Sequence, residues 1–249
     1  MNGLIEEDLI DMLQKKNLKY KTLYGGMALI CSNRLSPGKI SHTYGGKLRC
    51  GVAYSADSNS VDKWVESDKQ AILDLFEPIT AVPFEFDPNL RRGRWWKNGE
   101  PKSCVNVNSF YSSYPSSSGV VWNLPFSGIS VSMGGISVDQ IVNDPSLRKL
   151  SYKIIDETIA IANADLKKHG CSDDELLGDE TRDEMMTLSD NMGPYKTSIM
   201  LDYQARKPME VKYLFRKAVD RADELGVSAP YLDSIVCHAE AYQRRYDLF

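Results

Sequence analysis

After Pro88 the sequence offers no run that alternates like a strand and, residues 98–119 apart, turns to helical spacing, whereas strand-like runs dominate before it. This single switch excludes a uniform repeat of strands and helices and divides the chain in two. In the first part, stretches rich in β-forming residues stand at Met27–Cys31, Lys39–Tyr44 and Leu48–Tyr54. Gly25-Gly26, Pro37-Gly38 and Gly45-Gly46 separate them and read as turns. A short amphipathic helix is expected over Glu6–Gln14 and another over Val61–Phe76, where Val61, Trp64, Val65, Ile72 and Leu75 lie on or near one face. Pro83–Phe86 is one more short strand.

In the second part, Leu147–Lys168 sets Leu150, Ile154, Ile155, Ile159 and Ile161 among charges, a long amphipathic helix ending at Gly170. Ser172 with Asp174 and Glu175 resembles a helix start, and so does Pro208 ahead of Glu210. Val211–Leu225, closed by Gly226, and Pro230–Tyr246 complete a helical half. The expected organisation is an α/β part over residues 1–87 and an all-α domain over 88–249.

The bulk properties narrow the function. A hydrophobic share of 42% and a charged share of 26% suit a water-soluble globular chain. A net charge of −4 supplies no basic field for nucleic acid. No run approaches the ~18 uncharged apolar residues of a membrane helix. Met1–Asp11 carries four acidic residues and no basic start, so no secretory signal is read there. The five cysteines show no CxxC spacing and are odd in number, which argues against a disulfide framework and suggests no zinc site. A cytoplasmic location is expected.

Residues 98–119 fit neither half. Seven serines, two prolines and two glycines in twenty-two residues give no helical period, and the segment lies between Arg-Gly-Arg-Trp-Trp-Lys and Val-Val-Trp-Asn. Irregular stretches of this length inside a compact domain are usually lids, disorder or a mistaken reading.

Three stretches together resemble the ketopantoate reductase (2-dehydropantoate 2-reductase) family. The first is Asn2-Gly3-Leu4 followed by Gly25-Gly26 and Pro37-Gly38-Lys39-Ile40-Ser41-His42. The second is Arg91–Lys97 taken with Val120–Val131, and the third is Thr197–Glu210 with the helix after it. Each is weak alone; their order and spacing carry the likeness over nearly the whole chain apart from residues 98–119. The resemblance implies part of a Rossmann-type domain followed by a helical domain like the C-terminal domain of 6-phosphogluconate dehydrogenase. It also implies NADP(H) as cofactor, a small 2-keto acid as substrate, and compatibility with a homodimer.

The family's central motif is a lysine, three mostly apolar residues, then Asn-x-x-x-Asn. Asn123 matches the first Asn, yet four residues before it stands Gly119. Removing 98–119 joins Lys97 to Val120 and restores the spacing, so the segment is read as an insertion, natural or a misread stretch of the gene. Lys97 is then the family's catalytic lysine. The family reaction passes hydride from the nicotinamide to the keto carbon of 2-dehydropantoate, giving (R)-pantoate. Negative charge grows on the carbonyl oxygen as hydride arrives, and an ammonium can both stabilise it and donate a proton.

Discounting the insert, Lys97, Asn123 and Ser127 recur every four residues, on one face of one helix. Ser127 departs from the family's second Asn: it keeps a donor and an acceptor but reaches less far. By resemblance Ser198 contacts substrate, Glu210 is the glutamate near cofactor and substrate, and Asn2 sits by the nicotinamide.

Plainer readings stand beside these. A surface lysine is ordinarily a solvated charge. Asn123 near Pro125 reads on local grounds as a turn residue or cap. Glu210 just after Pro208 suits the first turn of a helix. The Trp95-Trp96 pair is packing.

By comparison with the family, roughly the first hundred residues of a typical member have no counterpart, and with them goes the expected Gly-x-Gly-x-x-Gly; no Gly-x-Gly occurs anywhere in the sequence. Poor NADPH binding, impaired turnover and strands with an exposed apolar face are therefore expected of the chain as written. The competing function classes are a noncatalytic helical dimerisation or interaction module and a reductase for another 2-keto acid.

Overall fold

The computed structural model describes residues 4–36, 38–57, 60–61, 63–76, 83–95 and 119–248. It divides into two compact units, residues 1–94 and 95–249.

In the first unit, helix α1 (Glu6–Lys15) precedes two long strands, β1 (Thr22–Ser36) and β2 (Lys39–Ser55). They pair antiparallel, and the chain reverses at Gly38, whose φ of +76° suits glycine. The short β3 (Ser60–Val61) pairs antiparallel with β2. Helix α2 (Glu66–Phe76) follows, and β4 (Phe84–Phe86) then returns parallel to β2, Cys50 facing Phe86. Helix α3 (Leu90–Trp95) comes next.

Two pairs of glycines read as turns lie inside strands. Gly25 and Gly26 belong to β1, and Gly45 and Gly46 to β2, so Lys39–Tyr44 and Leu48–Tyr54 form one strand. The glycines are there for other reasons. A Cβ on Gly25 would stand 2.5 Å from Leu90 Cδ2, and one on Gly51 would stand 2.4 Å from the carbonyl of Asp87. Missing side chains let α3 lie close on the sheet. At the second pair Leu29 faces Lys47 and Ile30 faces Gly45, so Gly46 absorbs a bulge. Where the strands' side chains are described, part of the apolar face is covered: Met27 and Ala53 are buried with Leu90 of α3, and Leu23 packs against them, while Ile40 of β2 is exposed. Arg91 pairs with Glu7 at 2.9 Å and Arg94 pairs with Glu6, tying α3 to α1.

The second unit is helical throughout its described residues. Its centre is α4 (Val120–Ser132), apolar on every side and buried along almost its whole length, as a helix surrounded by others must be. Around it come α5 (Val138–Asn143), α6 (Pro145–Lys168), α7 (Asp179–Asp190), α8 (Ser198–Gln204), a π-helical turn (Lys212–Arg216), α9 (Lys217–Leu225) and α10 (Pro230–Arg245). Helix α4 touches α5, α6, α8, α10 and the π turn.

Local chemistry sets the ends. Asp144 accepts from the backbone N–H groups of Ser146 and Leu147 and starts α6, two residues earlier than the apolar spacing suggests. Gly226, at φ +66°, closes α9. Ser172 and Glu175 form a capping box, but only a single 3₁₀ turn (Asp173–Glu175) follows, and the helix proper begins at Asp179. Pro230 opens α10, whose N-terminal amides of Tyr231 and Leu232 donate to the carboxylate of Glu157 on α6 at 3.1 and 2.7 Å. Burial pushes the Glu157 carboxyl above the ordinary range, against the pull of those two amides and Lys153. No described helix is long and apolar enough to cross a membrane.

Candidate functional site

Helix α4 positions two of the expected residues. Asn123 is neither a turn residue nor a cap. Gly119 holds the N-cap position, and Asn123 lies in the first turns of α4, with Pro125 accommodated inside the same helix. Its side-chain Nδ2 donates to the Gly119 carbonyl at 3.1 Å, an oxygen that also accepts the backbone N–H groups of Trp122 and Asn123. Nδ2 is thus used internally, and the half-buried Asn123 keeps its Oδ1 as an acceptor.

Ser127, one turn on, shares that face. It is buried, and its Oγ finds no hydrogen-bond partner among the described residues. A hydroxyl left this way normally costs stability, so it marks a position that is either tolerated or reserved for a ligand.

Of the other two, Ser198 lies on α8 and Glu210 just ahead of the π turn, and both elements touch α4. Ser198 is exposed at the first position of α8, behind Thr197, whose hydroxyl caps the helix by accepting from the N–H of Met200 at 3.2 Å. Glu210 is exposed just before Val211, and its carbonyl accepts from the N–H of Leu214 at 3.2 Å as the chain enters the π turn. The expected regular helix over 211–225 is therefore a π turn leading into α9; such turns recur at functional sites. Gly128 lets these parts meet, since a Cβ there would stand 2.3 Å from Ile235 Cδ1 on α10 and 3.3 Å from Phe215 Cε1 in the π turn.

Lys97 and Asn2 lie outside the described residues, as does nearly all of 98–119. What is described close to Lys97 in sequence is Trp95, the last residue of α3, fully buried in the second unit. Its indole Nε1 donates to Oδ2 of Asp165 on α6 at 2.8 Å. Asp165 is itself buried, with Arg221 Nε 3.5 Å and His169 Nδ1 3.5 Å from its Oδ1. No sequence motif singles out Asp165. The available signal was a carboxylate on the apolar stripe of α6, in line with Ile154, Thr158 and Ile161.

The sequence matches the family described as "Ketopantoate reductase PanE/ApbA C terminal" over residues 118–243, half of the chain, spanning α4 to α10. The chain belongs to the ketopantoate reductase family. Among curated proteins it is 26% identical over 235 residues to the 2-dehydropantoate 2-reductase of a Nostoc species, covering 94% of this chain and 61% of that protein. Among solved structures, the 2-dehydropantoate 2-reductase of Geobacter metallireducens GS-15 superposes with a TM-score of 0.70 at 25% identity, over 96% of this chain and 66% of that one. The enzyme from Methylococcus capsulatus gives a TM-score of 0.69 at 21% identity, over 96% and 63%. The fold is that of the ketopantoate reductases, an α/β unit followed by a helical one, and the chain spans under two thirds of the length of these three relatives.

Nicotinamide cofactors serve this family, and no dinucleotide cradle is formed among the described residues. The sequence holds no Gly-x-Gly, and the described sheet is an antiparallel hairpin with two short additions rather than a parallel sheet feeding helix N-termini.

Proposed function

We propose that the helical unit carries the keto acid side of an NADPH-dependent 2-dehydropantoate 2-reductase. The observation that supports this most is the family match over 118–243, which takes in Asn123 on α4 and, on or next to elements that touch α4, Ser198 and Glu210. In this reading the Asn123 Oδ1 accepts from the substrate hydroxyl or from the Lys97 ammonium, and fixes one against the other. The exposed hydroxyl of Ser198 donates to the substrate carboxylate. The Glu210 carboxylate accepts from a substrate hydroxyl and adds charge that favours an ammonium nearby. Ser127, sealed as it is, acts on this face only through a buried contact.

Lys97 is the group that meets the oxyanion. As C2 of 2-dehydropantoate gains hydride, its carbonyl oxygen takes a proton from the Lys97 ammonium, leaving a neutral amine to be reprotonated from water. NADPH is the hydride donor of the reading.

Binding of the keto acid tests the site apart from turnover. Calorimetric titration of the chain with 2-dehydropantoate should give saturable binding, weakened about tenfold in Asn123→Ala, the loss of roughly one good hydrogen bond to a charged or polar ligand group. Equal affinity in the variant would remove Asn123 from the site.

A further inference from the structure

Seven arginines lie in the helical unit. Arg148, Arg182, Arg216, Arg221 and Arg244 each face a carboxylate, at distances between 2.5 and 3.7 Å. Arg206 and Arg245 face none among the described residues. In a chain of net charge −4 such a pair is out of keeping, and both are exposed. They also converge. Arg206 stands just past α8 at φ +51°, a left-handed conformation that costs a non-glycine residue some stability. Its Cζ lies 5.1 Å from the centre of the Tyr246 ring, far along the chain. Arg245, the last residue of α10, puts its Cζ 5.7 Å from the same centre.

A cation at a helix C-terminus is favoured by the helix dipole, and that alone would account for one arginine at the end of each helix. It does not account for two guanidiniums gathered around one ring, where each raises the energy of the other. The ring itself is firmly placed. Tyr246, 38% exposed, packs on Tyr242 with centroids 4.8 Å apart, and Tyr242 packs on Tyr203 of α8 at 4.2 Å. The Tyr242 hydroxyl donates to the Tyr203 carbonyl at 3.0 Å, so α8 and α10 are tied together beside the two cations. The Tyr246 hydroxyl has no hydrogen-bond partner among the described residues.

We propose that Arg206, Arg245 and the Tyr246 hydroxyl form a binding site for a phosphate dianion. A guanidinium lying against an aromatic ring keeps its N–H groups in its own plane, where they donate outward. A carboxylate is satisfied by a single guanidinium through two parallel bonds, whereas a phosphate offers a further oxygen and a second charge. Two guanidiniums and a phenol match the larger anion. The exposed setting limits the strength, because charged pairs in water gain little, so the site binds weakly.

The test titrates the full chain with inorganic phosphate at about pH 7.5, where the dianion prevails. Sodium chloride is lowered to hold ionic strength constant, and the arginine side-chain Nε–Hε resonances are followed. The Arg206 and Arg245 signals should shift together and saturate at a shared, roughly millimolar midpoint. Arg206→Gln and Arg245→Gln, both at exposed positions, should each weaken binding at the remaining arginine about tenfold, the loss of one charge-assisted hydrogen bond. Tyr246→Phe keeps the ring and should lose about threefold. Lys149→Gln removes an exposed charge outside the cluster and should leave the midpoint where it is.

Glycerol 3-phosphate identifies the source of the anion. Saturation by it at a similar midpoint assigns the site to phosphate esters, and saturation by the inorganic ion alone assigns it to free phosphate; either supports a dianion site. Shifts no larger than chloride produces would overturn the proposal, and so would an unchanged midpoint in Arg206→Gln. Equal weakening by Lys149→Gln would overturn it as well, since only the general field of the surface would then be at work.

Discussion

Asp68→Ala is expected to destabilise the first unit by about 3–5 kcal/mol, because it strands buried donors as well as removing a charge. Asp68 lies in the first turn of α2 and is 2% exposed. Its carboxylate accepts from Thr22 Oγ1 of β1 at 2.6 Å, from Ser55 Oγ of β2 at 2.5 Å, and from the Val65 N–H at 3.4 Å. Its own carbonyl accepts from the hydroxyl of Tyr24 at 2.9 Å. One side chain thus ties the ends of both long strands to the helix that crosses them. Asp68→Asn keeps one acceptor oxygen and should lose roughly half as much.

The pH dependence has a definite sign. Burial pushes the Asp68 carboxyl up, but the hydrogen bonds from Ser55, Thr22 and Val65, with the charge of Lys21, outweigh it and hold the group below 3.8. A carboxyl depressed in the folded state contributes stability that is present above its unfolded value and lost as pH falls through its folded one. The wild-type unit should therefore weaken as pH drops below about 4, and Asp68→Asn should flatten that part of the curve. Thermal melts across the acid range check both; a mutant that melts with the wild type would show the three hydrogen bonds to be idle.

Gly128→Val is expected to cost about 3 kcal/mol and to weaken keto acid binding at the same time. Gly128 follows Ser127 on α4, and a β-branched side chain there runs into Ile235 and Phe215, both buried. Relief requires α4 to withdraw from α10 and from the π turn beside Glu210, the contacts that set the candidate site. Adding Ile235→Ala opens space on one side and should recover part of the loss, a coupling that two independent sites would not show. Additive effects in that cycle would mean the closeness of α4 and α10 is slack.

The sequence made the second half easier to read than the first. Leu147–Lys168 and Pro230–Tyr246 show their spacing plainly because each buries one stripe, and the observed helices differ by a residue or two at the ends. Helix α4 is harder, since a segment buried on all sides has no stripe, and Pro125 beside Asn123 imitates a turn. In the first half, glycine pairs look identical whether they bend the chain or admit a neighbour. Gly25 turned out to face Leu90, sixty-five positions away in sequence, a contact no local pattern encodes. The same holds for the site. Asn123 and Ser127 are legible as a spacing of four, whereas the meeting of α4 with α8 and the π turn arises from packing alone. Asp165 could be suspected only as a charge on an apolar stripe, with no hint that its partner was Trp95.

The most direct test of the reductase reading is formation of (R)-pantoate from 2-dehydropantoate by this chain, with NADPH raised well into the millimolar range and Lys97→Ala run in parallel. The account predicts product formation that falls by about 10²–10⁴-fold in Lys97→Ala, the contribution of a positioned general acid. Pantoate forming no faster with the native chain than with Lys97→Ala would contradict it.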